Sequence, residues 1–183
     1  FLVWSDLADK KFRYKKLSLH TVTVIWTTAI LIVGGATLFL AFEWNHAFAD
    51  MNPWQKIMAA FFQSVTPRTA GFFTVNQTEL SESSRVLTMA LMFVGGSPGS
   101  TAGGIKTTAF AVVIFTIASL IRRRQSVVLG KRRLDETTVR EAFAIVSIYA
   151  LAAVVSGIII AAIEPLNIEE VFYEVFSALS NVG

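Results

Sequence analysis

The sequence predicts an all-α membrane protein in which two short helices dip into the bilayer and turn back. Three observations predict it. The apolar residues, 54% of the 183 with a mean hydropathy of +0.58, fall in long blocks. The basic residues concentrate in two stretches that flank those blocks. Two capped apolar segments are too short to cross and end in Gly-containing turns. The chain has no cysteine, which excludes disulfides and thiolate metal sites. The two His and 13 carboxylates show no metal-ligand spacing.

Residues 1–16, "FLVWSDLADKKFRYKK", have neither an initiator Met nor the order of regions that marks a signal peptide. The other end, "FSALSNVG", stops on Gly after an apolar run. Both ends read as cut, so a larger membrane protein is expected. Residues 17–42 form the first long apolar run, with His20 near its start. About 20 residues at ~1.5 Å each span a ~30 Å hydrocarbon core, so this run can cross. Trp44 and Trp54 then suit an interfacial belt.

Asn52 and Pro53 open a short helix as N-cap and first residue. Trp54, Ile57, Met58, Phe61 and Val65 form one apolar stripe along it. With about 13 residues it reaches only ~20 Å before the turn "TPRTAGF". Such a segment can enter and return if its backbone is buried in protein or lines a wet cavity.

Residues 84–121 would make one helix of roughly 57 Å, more than a bilayer needs. The stretch "GGSPGSTAGG", residues 95–104, interrupts it with five Gly and one Pro. Residues 122–140 are a basic loop, and residues 141–163 are the next crossing run, stopped at Pro165. Asn167 then caps a second short helix, with Glu169 and Glu170 in its first turn and a stripe of Phe172, Val175, Phe176 and Leu179.

Residues 10–16 and 122–133 hold eleven of the sixteen Lys and Arg, whereas residues 43–83 hold only Lys56 and Arg68. The positive-inside rule puts both basic stretches in the cytoplasm and residues 43–83 outside. Because the flanking spans account for the basic runs, nucleic acid is not an expected partner.

The order of span, short connection, capped half-length helix and small-residue turn therefore occurs twice, an internal repeat. Thr69, Ala70 and Gly71 align with Asn181, Val182 and Gly183. Helix C-termini carry partial negative charge and aim unpaired carbonyls, and Gly permits strained backbone angles. A ring of carbonyls can replace the hydration shell of a monovalent cation. A plain Gly C-cap explains either turn alone; two copies, each behind a crossing run, favour the re-entrant reading.

The motifs "TPRTAGF", "MFVGGSPGSTAGGIKTT" and "FSALSNVG" resemble the Trk/Ktr/HKT superfamily of cation transporters, over nearly the full chain. The resemblance is to the third of four helix–pore loop–helix repeats and the first half of the fourth, arranged as in potassium channels. Residues 17–121 would be the repeat with the broken second helix, and residues 141–183 the start of the next. The resemblance implies ion filters at Arg68, Thr69, Ala70, Gly71 and Phe72 and at Ser180, Asn181, Val182 and Gly183. Potassium would bind carbonyls of Thr69, Ala70, Asn181 and Val182.

It also implies an intramembrane gate loop of Gly95, Gly96, Ser97, Pro98, Gly99, Ser100, Thr101, Ala102, Gly103 and Gly104, with Lys106 beside it. Further implications are a multi-pass plasma-membrane protein, a homodimer, and a cytosolic nucleotide-binding regulatory subunit docking near the basic loops. The ion in the pore is potassium, and no covalent cofactor or covalent chemistry is assigned. Potassium preference goes with Gly at every filter, and a first-repeat Ser with sodium. The two visible positions are Gly71 and Gly183, so a sodium-permeable member remains the alternative.

Arg68 is expected behind the filter, bonded to backbone carbonyls or a carboxylate, because a cation in the pore would repel the ion. Lys106 has two readings: a charge that raises the barrier at the gate, or a snorkelling or paired Lys near the cytoplasmic face. Gly99, Gly104, Lys106 and Thr107 approach a phosphate-binding loop. The inserted Ile105 turns Lys106 by about 100° from the required place, which weakens an ATP-hydrolysing alternative. A simple packing hinge at the glycines is the other reading of this loop.

Overall fold

The computed structural model describes residues 3, 5–6, 18–98, 102–123, 128–129 and 132–183. The expected basic run at residues 10–16, part of the one at 122–133, and Gly99, Ser100 and Thr101 lie outside the described residues. Six helices position the site. They are α1 (Leu19–Glu43), α2 (Pro53–Val65), α3 (Glu82–Phe93), α4 (Thr107–Ile121), α5 (Glu136–Ile163) and α6 (Ile168–Leu179). Val128–Leu129 pairs with Arg132–Arg133 as a small antiparallel ribbon between α4 and α5.

Helices α1 and α5, of 25 and 28 residues, are long and apolar enough to cross a membrane. Only 22% and 11% of their most apolar windows are buried, so they are not core helices of a water-soluble domain. Helix α1 starts at Ser18, whose side chain accepts from the backbone of Thr21. Helix α5 begins five residues before the expected crossing run, at Glu136 behind Asp135. The acidic first turn continues the helix past the apolar part, which hydropathy alone does not register.

Both half-length helices form with the expected starts. At α2 the backbone N–H of Asn52 donates to Gln55 Oε1 at 3.0 Å, and at α6 that of Asn167 donates to Glu170 Oε2 at 3.2 Å. Their 13 and 12 residues reach about 20 and 18 Å. Each lies against the span before it at a glycine. A Cβ on Gly35 would come within 2.3 Å of Ser64 Oγ, and one on Gly157 within 3.0 Å of the Phe172 ring. Ser64 Oγ also donates to the Ile32 carbonyl of α1 at 2.8 Å. Small residues at membrane helix crossings allow this closeness.

The faces of α2 divide in an unexpected way. Lys56, Ala59, Ala60, Gln63 and Ser64 are buried, whereas Trp54, Met58, Phe61 and Val65 of the apolar stripe are exposed. In an aqueous protein that stripe would point inward. Here Ala59, Ala60 and Ser64 pack toward α1, Lys56 reaches the Trp44 carbonyl at its end and Gln63 meets Gln77, while the apolar residues face outward. In α6 the order is the familiar one, with Val171 and Val175 buried against Ala153.

The expected break between α3 and α4 extends from Val94 to Lys106, slightly wider than its Gly-rich core. Its ends meet. Val94 and Ile105 form a parallel bridge, Ile105 N–H donates to the Phe93 carbonyl at 3.0 Å, and Thr107 N–H donates to Gly96 at 3.1 Å. The interruption is thus a loop with a closed neck, which satisfies backbone groups that the broken helix would leave open.

Candidate functional site

The two short helices end beside each other. A Cβ placed on Gly71 would lie 2.0 Å from the Val182 carbonyl oxygen. Gly71, Phe72, Val182 and Gly183 share the wall of a cavity of about 70 Å³ with Gln77 and Tyr173.

The turns also share a backbone pattern. Thr69, Gly71, Asn181 and Gly183 have φ of 72°, 73°, 54° and 97°, and Ala70 and Val182 between them are not in the left-handed region. Alternating φ turns successive peptide groups toward one side of the chain, which a strand does not do. Asn and Gly tolerate the left-handed region, but β-branched Thr69 does so at a cost of ~1–3 kcal/mol. Its neighbours hold it there: the N–H groups of Ala70 and Gly71 both reach the Thr66 carbonyl, at 3.1 and 3.2 Å. Thr66 Oγ1 clasps the Phe72 carbonyl, and Ser177 Oγ clasps that of Gly183 at 3.0 Å. In each copy a hydroxyl from the end of the helix holds the carbonyl six residues on.

Arg68 is half-buried and donates Nη2 to the Gly95 carbonyl at 3.3 Å. Among the described residues nothing meets its Nε. Phe72 is 72% exposed, and its carbonyl accepts from Thr66 Oγ1. Ser180 is fully buried; its hydroxyl lies 2.7 Å from Tyr149 Oη and donates to the Met92 carbonyl at 2.6 Å.

The described part of the loop lies against the second turn. A Cβ on Gly103 would meet the Ser180 carbonyl carbon and oxygen at 2.5 Å, and Gly104 N–H points to the Leu179 carbonyl at 3.4 Å. Gly95 faces Gly103 and Gly104 across the neck, and Gly96 accepts from Thr107. Ser97, Pro98 and Ala102 are partly buried. Lys106 Nζ turns back to the Ala102 carbonyl at 2.5 Å. The structure therefore brings together the two turns and both ends of the loop.

Several supporting residues have no motif. Glu43, fully buried at the end of α1, accepts from the Ala47 and Ser81 backbones and the Ser81 hydroxyl, and lies 3.2 Å from His46 Nδ1. Gln63 and Gln77 exchange amide bonds, and Tyr173 Oη donates to Gln77 at 3.0 Å, which joins α2, the segment after its turn, and α6. Arg85 of α3 and Glu169 of α6 approach to 3.2 Å. A Glu closing an apolar run and a Gln inside an apolar half-helix were the available signals, since buried polar groups need partners.

A profile of the family described as "TrkH: Cation transport protein" matches residues 5–183. The potassium/sodium uptake protein NtpJ of Enterococcus hirae is 33% identical, over 100% of this chain and 42% of its own length. The Ktr system potassium uptake protein B of Bacillus subtilis is also 33% identical, over 100% of this chain and 41% of its own. Among solved structures, the potassium transporter TrkH from Vibrio parahaemolyticus superimposes with a TM-score of 0.76 at 23% identity, over 100% of this chain and 40% of that one. This last likeness concerns the fold. The chain spans about two fifths of the length of these proteins.

Proposed function

This chain belongs to the TrkH family of cation transport proteins, and on that premise we propose that it supplies two of the filter segments of a potassium path across the plasma membrane. The observation that carries the reading is the junction of two half-depth helix ends, where Gly71 adjoins Val182 and both turns alternate in φ. Backbone carbonyls of Thr69, Ala70, Asn181 and Val182 replace water around the ion, and the negative ends of α2 and α6 favour its charge. Potassium is the transported ion.

The loop at residues 95–104 gates the path beneath the filter, and its seat against Leu179 and Ser180 supports that role. A cytosolic nucleotide-binding subunit, docking at the basic face near Arg122 and Arg123, shifts the balance between blocked and open loop states in a homodimer. A mixed potassium and sodium permeability is the second reading, favoured by the name of the Enterococcus relative.

Liposomes containing the intact protein test the proposal through rubidium uptake. Uptake above that of empty vesicles is expected, and shortening the 95–104 loop is expected to raise it. Uptake no greater than in empty vesicles would remove the transport reading. Unchanged uptake on loop shortening would remove the gate.

A further inference from the structure

The two turns are joined by a second route besides the Gly71–Val182 contact, and it runs through the neck of the broken helix. Arg68, next to the first turn, bonds the Gly95 carbonyl. Gly95 sits so close to Gly103 that a Cβ on it would fall 1.9 Å from the Gly103 carbonyl oxygen. Gly103 in turn abuts the carbonyl of Ser180, the first residue of the second turn, and Ser180 is pinned by Met92 and Tyr149. Every junction after the guanidinium is backbone against backbone, with no side chain to yield. The neck itself is closed by the Val94–Ile105 bridge.

Resting on the reading of these turns as filters, we propose that Arg68 is a positioning residue for ion selectivity: through the Gly95–Gly103 neck it sets the spacing between the two filter turns. A wedge of fixed thickness lies between them, and Arg68 holds the first turn to it. Without that bond the first turn can drift from the second, and carbonyls spaced for a large ion lose their fit. The guanidinium suits this task because it reaches far and remains charged; a carbonyl bonded to a charged donor is held more strongly than one bonded to a neutral donor. Its Nη2 is turned to the neck, at the Gly95 carbonyl.

The test compares rubidium with sodium uptake by the intact protein in liposomes. Arg68→Gln is expected to lower the rubidium preference about tenfold, the worth of one weak charge-assisted hydrogen bond. Arg68→Lys, which keeps the charge and a donor, is expected to retain part of the preference even if the Gln variant assembles poorly. Gly103→Ala presses on Ser180 from the other end of the same wedge. It is expected to lower the preference as well, and the double variant to lose less than the product of the two single losses. An unchanged preference in Arg68→Gln and Arg68→Lys, or fully multiplicative losses, would overturn the spacer. Equal rubidium gain in Arg68→Gln with selectivity intact would mean that Arg68 acts by charge alone, and would also overturn it. An unsubstituted protein that carries neither ion would instead remove the transport reading beneath it.

Discussion

At Gly71 a methyl group has nowhere to go. The φ of 73° costs an L residue roughly 1–2 kcal/mol, and the Val182 carbonyl oxygen occupies the place of a Cβ. Gly183 has the same hand of backbone, but nothing lies within 4 Å of its Cβ direction among the described residues. Gly71 is therefore required for space as well as conformation, and Gly183 shares the conformational requirement. Gly71→Ala is expected to lower rubidium uptake by roughly tenfold or more, since about 1.4 kcal/mol is already tenfold. Uptake within twofold of the parent protein would show that the turns can separate without consequence. Gly71 could be read from a motif. Its opposing atom belongs to a residue more than a hundred positions away, and no local pattern carries that information.

Among the elements, the half-length helices depend on their approach to the spans. Ser64 Oγ both fills the notch above Gly35 and bonds the Ile32 carbonyl, so steric fit and hydrogen bond share one atom. Gly35→Ala should destabilise the α1–α2 pair by about 1–3 kcal/mol, as over-packing does. Ser64→Ala opens room for that methyl, so the double variant should unfold at a higher temperature than the sum of the two single losses implies. Additive losses in thermal unfolding of the detergent-solubilised protein would mean that the two residues do not share this contact. The starts of α2 and α6 were legible because caps are local: Asn-Pro and Asn followed by acidic residues act within one turn. The facing of α2 was not. An apolar stripe identifies a helix and its sides, but in a membrane protein it does not tell which side meets the span.

The whole molecule presents far more apolar surface than a domain in water tolerates. Ile148, Leu151 and Ile158 on α5 are 68%, 65% and 64% exposed, and Ile30 on α1 is 65% exposed. Faces of this kind suit contact with bilayer lipid or with further apolar helices. The positive-inside rule predicts an orientation that is open to direct measurement. The chain has no Cys, so single thiols can be introduced into it cleanly. Thr78→Cys should react with a membrane-impermeant maleimide from outside intact cells, and Glu136→Cys only after the membrane is opened; both positions are exposed. Labelling of Glu136→Cys from outside would reverse the assigned topology.

The sequence by itself determined the membrane class, the two spans, the two half-length helices and the place where the apolar run between the spans breaks. Those features depend on blocks of apolar residues, caps and glycines, whose effects reach only a few positions along the chain. Only the tertiary structure decided that Gly71 abuts Val182, that the loop closes its own neck, and that Arg68 holds Gly95. It also decided that Glu43 ties the Ala47 and Ser81 segments to the end of α1. These are meetings of residues far apart in sequence, fixed by how the helices pack and by the need of each buried polar group for a partner.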